Sequence, residues 1–366
     1  YSIYCRSYQV NLHDCDFQDH LARGKEPNNC IVYIHTNEPE VQPVIKELTF
    51  ENNNGVSSLI VKSGAKIITI EKLHFHNNRD GTPVLNFNRW EAKDAVVVTK
   101  CDFKDIINSR CIYMSEPPKN KGLSISVTES TFDNIKADDT REMEFLGSGS
   151  SIFCRNNANI VVRQCNFTNN EASANGGAIY GETESININN CRFINCSAGI
   201  DSEGQGGGIY LEQDSTSAYE WSMGNIFINC SAGYSGGGIF IYCHDTHKGQ
   251  TKREVSQEIT IADCNFTECR SLVEGGAISS GKQEDPNDPD TISGDGDMII
   301  LRCTFNKCES GKGGALYFQD GTSDGDEDTE ISNCHFFGCY ATEDPHEGYS
   351  IYCRSYQVNL HDCDFQ

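Results

Sequence analysis

The stretch IVVRQCNFTNNEASANGGAIY, residues 160–180, holds the pattern that decides the fold. Apolar and polar residues alternate up to Phe167, which is typical of a β-strand with one buried face. A diglycine at Gly176 and Gly177 follows, and then a second short apolar run ends in Tyr180. Glycine suits a tight corner, because it accepts positive φ and lets another backbone pass close by. The stretch therefore predicts a strand, a corner and another strand.

The same pattern recurs along the chain at intervals of 25 to 39 residues. Each time a strand-like segment ends in Phe, and a relative of the diglycine run follows. The anchoring residues are Phe17, Phe50, Phe75, Phe103, Phe132, Phe167, Phe193, Phe227, Phe266, Phe305, Phe336 and Phe365. One such unit cannot bury its inner face alone, whereas stacked units form a continuous core. We predict an all-β solenoid with about eleven coils in 348 residues; a β-sandwich would not explain like residues at like positions.

Two motifs alternate in this pattern, GGA[ILV] and Phe-x-x-Asn. Clear copies are GGAIY at Gly176, GGALY at Gly313, Phe50-x-x-Asn53, Phe75-x-x-Asn78 and Phe167-x-x-Asn170. Their alternation resembles the polymorphic outer membrane protein repeat family of surface proteins. The resemblance is clean over residues 167–317 and degenerate elsewhere. It implies a right-handed parallel β-helix and a location at the cell surface.

Residues 1–18 and residues 349–366 consist of the same letters, YSIYCRSYQVNLHDCDFQ. Chance does not produce such an identity. We expect one β-helix unit over residues 1–348 and the start of an identical tandem unit over residues 349–366. The alternative is a chain whose ends were overlapped artificially. Tandem units would continue one solenoid, so the predicted partners are further copies of the unit and other filament chains.

The chain has 19 cysteines and no CxxC pair, which argues against zinc-ribbon and thioredoxin-like sites. Nine of them occupy two positions of the repeated pattern: Cys191, Cys196, Cys230, Cys264, Cys269, Cys303, Cys308, Cys334 and Cys339. We predict disulfides that staple the solenoid, either across one corner or between adjacent coils. The alternative is a ladder of buried thiols that pack as small apolar groups.

The balance of charge excludes some partners. Lys and Arg number 29 against 53 Asp and Glu, a net charge of -24, which disfavours nucleic acid. No apolar run approaches the ~18 residues of a membrane-spanning helix. Acidity, cysteines and N-x-[ST] sequons together favour an extracellular or cell-surface setting. The glycosylation candidates are Asn166, Asn195, Asn229 and Asn265, of which Asn166 and Asn265 lie between inward residues and should point outward.

Metal sites are weakly indicated. Asp324, Asp326 and Asp328 alternate as calcium ligands do, but the Gly and Glu of an EF-hand are missing. We expect at most a weak surface Ca²⁺ site there. His74 and His76 could share a metal, although such pairs on strands are usually solvated. The prediction is therefore no resident metal and no cofactor.

Catalytic residues are not indicated either. Asp138, Asp139 and Arg141 are adjacent acids and a base, but they do not recur on successive coils. Glycoside chemistry needs paired carboxylates about 5–9.5 Å apart on one groove. We therefore predict that the chain is not an enzyme.

Three functions remain as hypotheses. The first is a structural unit of a long extracellular or cell-surface filament, a disulfide-stapled tandem β-helix, because an enzyme gains little from identical fused copies. The second is a surface adhesin or carbohydrate-binding β-helix, which an outward aromatic ladder would support. The third is a pectate-lyase-like carbohydrate-active enzyme, which needs a recurrent acidic groove.

Overall fold

The first sheet of the solenoid takes one strand from each coil. The computed structural model describes residues 3–6, 10–21, 30–36, 42–63, 67–79, 83–87, 95–114, 124–137, 147–155, 159–183, 185–201, 203–214, 219–244, 258–281, 297–319, 328–343, 348–354 and 357–366. Within these ranges all regular structure is β-strand. The first sheet has twelve strands: Ile3–Arg6, Cys30–Thr36, Ser57–Ser63, Leu85–Phe87, Ile112–Met114, Ile152–Cys154, Ile179–Thr183, Ile209–Asp214, Ile239–His244, Ile278–Ser280, Leu316–Gln319 and Ile351–Arg354.

The second sheet bends, so that each coil contributes two or three short strand segments, or legs, to it. In two coils the first two legs form one strand, Asn11–Gln18 and Val44–Glu51. Separate first legs are Ile67–Glu71, Ala95–Thr99, Ser124–Thr128, Asn159–Arg163, Ser185–Asn189, Tyr219–Met223, Glu258–Ala262, Asp297–Leu301, Asp328–Ser332 and Gln357–His361. Second legs, which carry the Phe, are His74–His76, Asp102–Ile107, Thr131–Ala137, Asn166–Thr168, Arg192–Ile194, Ile226–Ile228, Asn265–Thr267, Thr304–Asn306, His335–Phe337 and Asp364–Phe365. Third legs are Glu171–Ala172, Ser197–Ala198, Ser231–Ala232, Arg270–Ser271, Glu309–Ser310 and Tyr340–Ala341.

The strands of successive coils pair in parallel and in register. Phe167, for example, lies opposite Phe132 in the preceding coil and opposite Phe193 in the following one. Twelve coils with this pairing make the fold a parallel β-helix, which confirms the prediction from the repeated pattern.

The phenylalanines form one continuous column through the core. Adjacent ring centroids are 4.7 to 5.2 Å apart at each step from Phe17 to Phe365. Neighbouring strands in a sheet lie ~4.8 Å apart, so rings at equivalent positions must stack at that spacing. Most of these rings are fully buried, among them Phe75, Phe103 and Phe193.

Each coil turns its corners on single residues with positive φ. Gln164 (φ 55) precedes Phe167 by three positions, and Asn169 (φ 53) follows it by two. The same two positions have positive φ in every coil where they are described, with Gly224 and Gly338 replacing a larger residue twice. For residues other than glycine, a positive φ costs ~1–2 kcal/mol, and the cost is lowest for Asn and Asp. Packing against neighbouring coils must offset that cost.

The two glycines of the diglycine have different tasks. The first, such as Gly176, has a φ of +67. The second is pressed against the next coil, since a Cβ on Gly177 would lie 2.0 Å from the carbonyl oxygen of Gly207. Positive φ and close approach of a backbone were both expected from the sequence, and both are confirmed.

Truncating one ring of the column tests its contribution. Phe167→Ala should lower the free energy of unfolding by about 3–5 kcal/mol, because the buried ring leaves a cavity between two rigid neighbours. Urea unfolding followed by circular dichroism measures the loss. Thr168→Ala, at the neighbouring outward position, is the control and should change stability by less than about 0.5 kcal/mol. Equal effects of the two substitutions would contradict the core assignment.

Candidate functional site

The first copy of the repeated eighteen residues supports the coil that follows it. Within residues 1–18, Phe17 lies opposite Phe50 and Leu12 lies opposite Ile45. The two rings stack with centroids 4.9 Å apart. This copy therefore shows how the repeated residues pack against the coil that follows them.

The second copy rests on the coil that precedes it. Within residues 349–366, Phe365 lies opposite Phe336 and Leu360 lies opposite Ile331. The rings of Phe336 and Phe365 stack at 4.8 Å. The same eighteen residues thus pack well on both of their faces, one face in each copy.

Exposure differs between the copies as this packing requires. Val10 and Phe17 are 5% and 8% exposed, whereas their counterparts Val358 and Phe365 are 42% and 48% exposed. The sequence is identical and each copy has one neighbouring coil, so these side chains are exposed mainly on the face towards the following coil, which is covered in the first copy and open in the second. The second copy presents an apolar end face.

A tyrosine column crosses the first sheet at the same junction. Tyr317 stacks on Tyr352 with ring centroids 4.9 Å apart, and Tyr4 stacks on Tyr33 at 5.3 Å. Tyr352 is the counterpart of Tyr4. Overlaying the two copies therefore gives an unbroken stack of three tyrosines.

Most of the described cysteines form two columns, one on each side of the phenylalanines. In the column two residues before Phe, Cys191 Sγ lies 3.6 Å from the carbonyl oxygen of Val162 in the preceding coil. The backbone N–H of Cys191 in turn donates to Asn225 Oδ1 of the next coil at 2.7 Å. In the same way, the backbone N–H of Cys303 donates to Cys334 Sγ of the next coil at 3.4 Å. Cysteine and asparagine therefore do the same work, satisfying backbone groups where the corner interrupts the strand ladder.

The second column lies three residues after Phe. Cys230 Sγ lies 3.5 Å from the carbonyl oxygen of Phe193, one coil back. In coils that have asparagine instead, the same bond is made by an amide, as when Asn170 Nδ2 donates to the carbonyl oxygen of Phe132 at 3.2 Å. The change from Asn to Cys in the sequence motif is therefore a change of donor at one buried position.

All eighteen cysteines described here are free thiols, including each of the nine candidates for stapling. Burial raises the pKa of Cys196 and Cys269, and it raises the pKa of Cys154 to about 12. Protonated, buried thiols are poor nucleophiles and react slowly. The arrangement is that of the thiol ladder, the alternative to stapling, and disulfide formation stays a prediction.

Exchanging residues within the second column tests the hydrogen-bonding role. Cys230→Asn should change the free energy of unfolding by no more than about 1 kcal/mol, because the amide can take over the bond to Phe193. Cys230→Val keeps a similar size but removes the side-chain hydrogen bond to the Phe193 carbonyl, which should cost about 0.5–1.5 kcal/mol. Denaturant unfolding in reductant measures both. Asparagine costing more than valine would show that the column is selected for apolar packing alone.

The four sequon asparagines are exposed. Asn166 and Asn265 point away from the core as predicted. Asn195 and Asn229 stand at corners, where Asn229 Nδ2 donates to Asn195 Oδ1 at 3.0 Å. These two therefore occupy neighbouring coils on one outward ladder, and their glycosylation stays a prediction.

The ladder predicts unequal glycosylation in a secretory host that modifies sequons. Asn166 and Asn265 should be modified. Asn195 and Asn229 should not both carry a glycan on one molecule, because coils ~4.8 Å apart leave no room for two glycans. Glycopeptide mass spectrometry measures the occupancy of each site. Thr267→Ala, which destroys the sequon at Asn265, is the control. Molecules carrying glycans at both corner positions would contradict the prediction.

The sequence reasoning missed an outward aromatic column. It joins Tyr113, Phe153, Tyr180, Tyr210 and Phe240, whose ring centroids are 5.0 to 5.4 Å apart. The signal was the last residue of the GGAIY motif, which recurs on successive coils. The rings of this column other than Tyr113 are at most 5% exposed, so the column does not offer a flat surface to sugars.

The structure adds a third side chain to the histidine pair. His74 and His76 lie on one outward strand edge, and Asp102 of the next coil lies beside both of them. The calcium candidates Asp324 and Asp326 lie outside the described residues, as does the side chain of Asp328. The group of Asp138, Asp139 and Arg141 lies outside them as well.

Comparison with known proteins addresses the repeat itself. Residues 164–182 match the Chlamydia polymorphic membrane protein repeat. The matched segment runs from the corner at Gln164 through Phe167 and Asn170 to the diglycine, so it contains both motifs. The resemblance seen in the sequence is confirmed for this coil, and it associates the chain with surface-exposed β-helical proteins. Neither a curated protein nor a solved structure matches the chain significantly. Among the residues described, no helix is long and apolar enough to cross a membrane.

Proposed function

We propose that the chain is a structural unit of a cell-surface filament in which identical β-helix units continue one another end to end. The observation that carries the proposal is the packing of the repeated eighteen residues on both of their faces. As residues 349–366 they stack on the last coil of one unit, and as residues 1–18 they stack under the second coil of a unit. The strands Cys30–Thr36 and Val44–Glu51 of a further unit would then occupy the apolar end face.

The junction would keep every column of the fold. The phenylalanine column would run from Phe336 through the shared coil to Phe50, with spacings of 4.8 and 4.9 Å. The backbone edge of the last coil would be paired in the same way, which removes an exposed strand edge. Such a filament is stiff because each coil is hydrogen-bonded to the next along the axis.

The setting and the role follow from the other features. The matched repeat, the net charge of -24 and the sequons support a location at the cell surface. The role is structural rather than catalytic, since identical tandem units add length and not a new reaction. An adhesin function gains no support from the aromatic column, because its rings are buried.

Two units joined through one shared repeat test the proposal. Electron cryomicroscopy should show one straight rod with a ~4.8 Å layer line and an advance of about 53 Å per unit, eleven coils at the strand spacing. Two rods joined by a hinge would show that the junction does not stack, and would overturn the proposal.

A substitution at the junction sharpens the test. Phe365→Asp in the shared repeat puts a carboxylate into the phenylalanine column and should turn the straight double-length rod into two rods joined by a hinge. Asn359→Asp adds the same charge at an outward position of the same coil and should leave the rod intact. A continuous rod in both variants would contradict the predicted junction.

A further inference from the structure

The outward face of the second sheet holds one compact group of metal-binding side chains. His74 and His76 lie two positions apart on one strand and therefore face the same side. Asp102 stands directly opposite His74 on the next coil. The three potential ligand atoms all lie within 4.8 Å of one another.

Distances within this group suit a small ion. Asp102 Oδ2 lies 2.7 Å from His76 Nε2 and 4.0 Å from His74 Nδ1. In a tetrahedral site with bonds of ~2.0–2.1 Å, ligand atoms are about 3.3 Å apart. The observed distances fall on either side of that value. Small rotations of three partly exposed side chains would equalise them.

The backbone beneath the group is fixed. Phe75, between the two histidines, and Phe103, beside Asp102, are fully buried, and their rings stack at 4.8 Å. The carboxylate is also oriented, because Thr131 of the following coil donates a hydrogen bond to its other oxygen, Oδ1. The group therefore has a carboxylate ligand held by an outer partner, as protein metal sites do.

We propose that His74, His76 and Asp102 form a binding site for a transition-metal dication of the zinc class. Two imidazoles and one carboxylate are a borderline donor set that favours Zn²⁺ and its neighbours, whereas Ca²⁺ and Mg²⁺ favour oxygen ligands. Three protein ligands leave a fourth position open to water. The bound ion links two successive coils on the outside of the solenoid.

The chain contains a matched group that lacks one ligand. His335 Nδ1 lies 4.0 Å from Asp364 Oδ2, the same separation as in the pair of His74 and Asp102. The position equivalent to His76 is Phe337. This group should not bind the ion as it stands, and it should gain a site when Phe337 is replaced by histidine.

Isothermal titration calorimetry with ZnCl₂ on the full chain tests the proposal. The unsubstituted chain should bind one equivalent at this site, and zinc should shift the ring-nitrogen resonances of two histidines. His76→Phe, which copies the arrangement around Phe337, and Asp102→Asn should each weaken binding at least tenfold. Thr131→Val should weaken it about tenfold through the orientation of Asp102. His335→Gln is the control and should bind zinc as the unsubstituted chain does.

Two results would overturn the assignment. One is zinc binding that persists unchanged in His76→Phe, since the ion would then sit elsewhere. The other is a single equivalent bound by Phe337→His, where two are expected, because three such ligands in the same geometry would then be insufficient. The substituted side chains lie on the outside of the coils, and an unchanged circular dichroism spectrum would exclude unfolding as the cause of any loss.

Discussion

The stacking of like residues at the spacing of hydrogen-bonded strands is the constraint on which this structure depends. A single coil would not be stable by itself, since its apolar inner face would have nothing to pack against. The parallel register places each Phe on the Phe of the next coil, so the core repeats at ~4.8 Å without depending on the length of the loops. Intervals of 25 to 39 residues are therefore compatible with one unbroken column.

Corners are the second requirement, because a coil must turn without leaving backbone groups unpaired. Residues with positive φ make the turns, and the side chains next to them satisfy the interrupted ladder. Asn225, Ser130 and Cys334 each accept a hydrogen bond from a backbone N–H one coil back. Seen in this way, the cysteines belong to a set of small polar residues. The Phe-x-x-Asn motif can become Phe-x-x-Cys for a related reason, since Asn170 and Cys230 both donate to the carbonyl oxygen of a Phe one coil back.

The sequence predicts those features that repeat with the coil. The phenylalanine column, the tasks of the two glycines and the outward direction of Asn166 and Asn265 follow from alternation and from residue type. The tyrosine at the end of GGAIY repeats as well, but an aromatic residue after an apolar run reads equally well as core. Its column needed the structure to show which side of the sheet it occupies.

Features that combine different coils could not be predicted in the same way. His74 and His76 are visible as a pair, but Asp102 lies 26 residues beyond His76 in the chain, and only the register of the two coils brings them together. The state of the cysteines was equally open, because a spacing of ~4.8 Å suits a disulfide and a stacked pair of thiols alike. The structure shows these cysteines as buried free thiols, and sequence gives no direct measure of that burial.

Outward positions follow a different rule from inward ones. The core fixes the backbone as a grid, with neighbours ~4.8 Å apart along the axis and ~6.6 Å apart along a strand. A substitution at an outward position replaces one exposed side chain and leaves the packing of the core unchanged. The zinc-class site and the group around His335 illustrate this, since the same grid holds three ligands in one place and two in the other. The shared coil of eighteen residues has less freedom, because its two faces must fit different neighbours. One sequence present in both copies meets that requirement, and it would make every junction in the proposed filament the same.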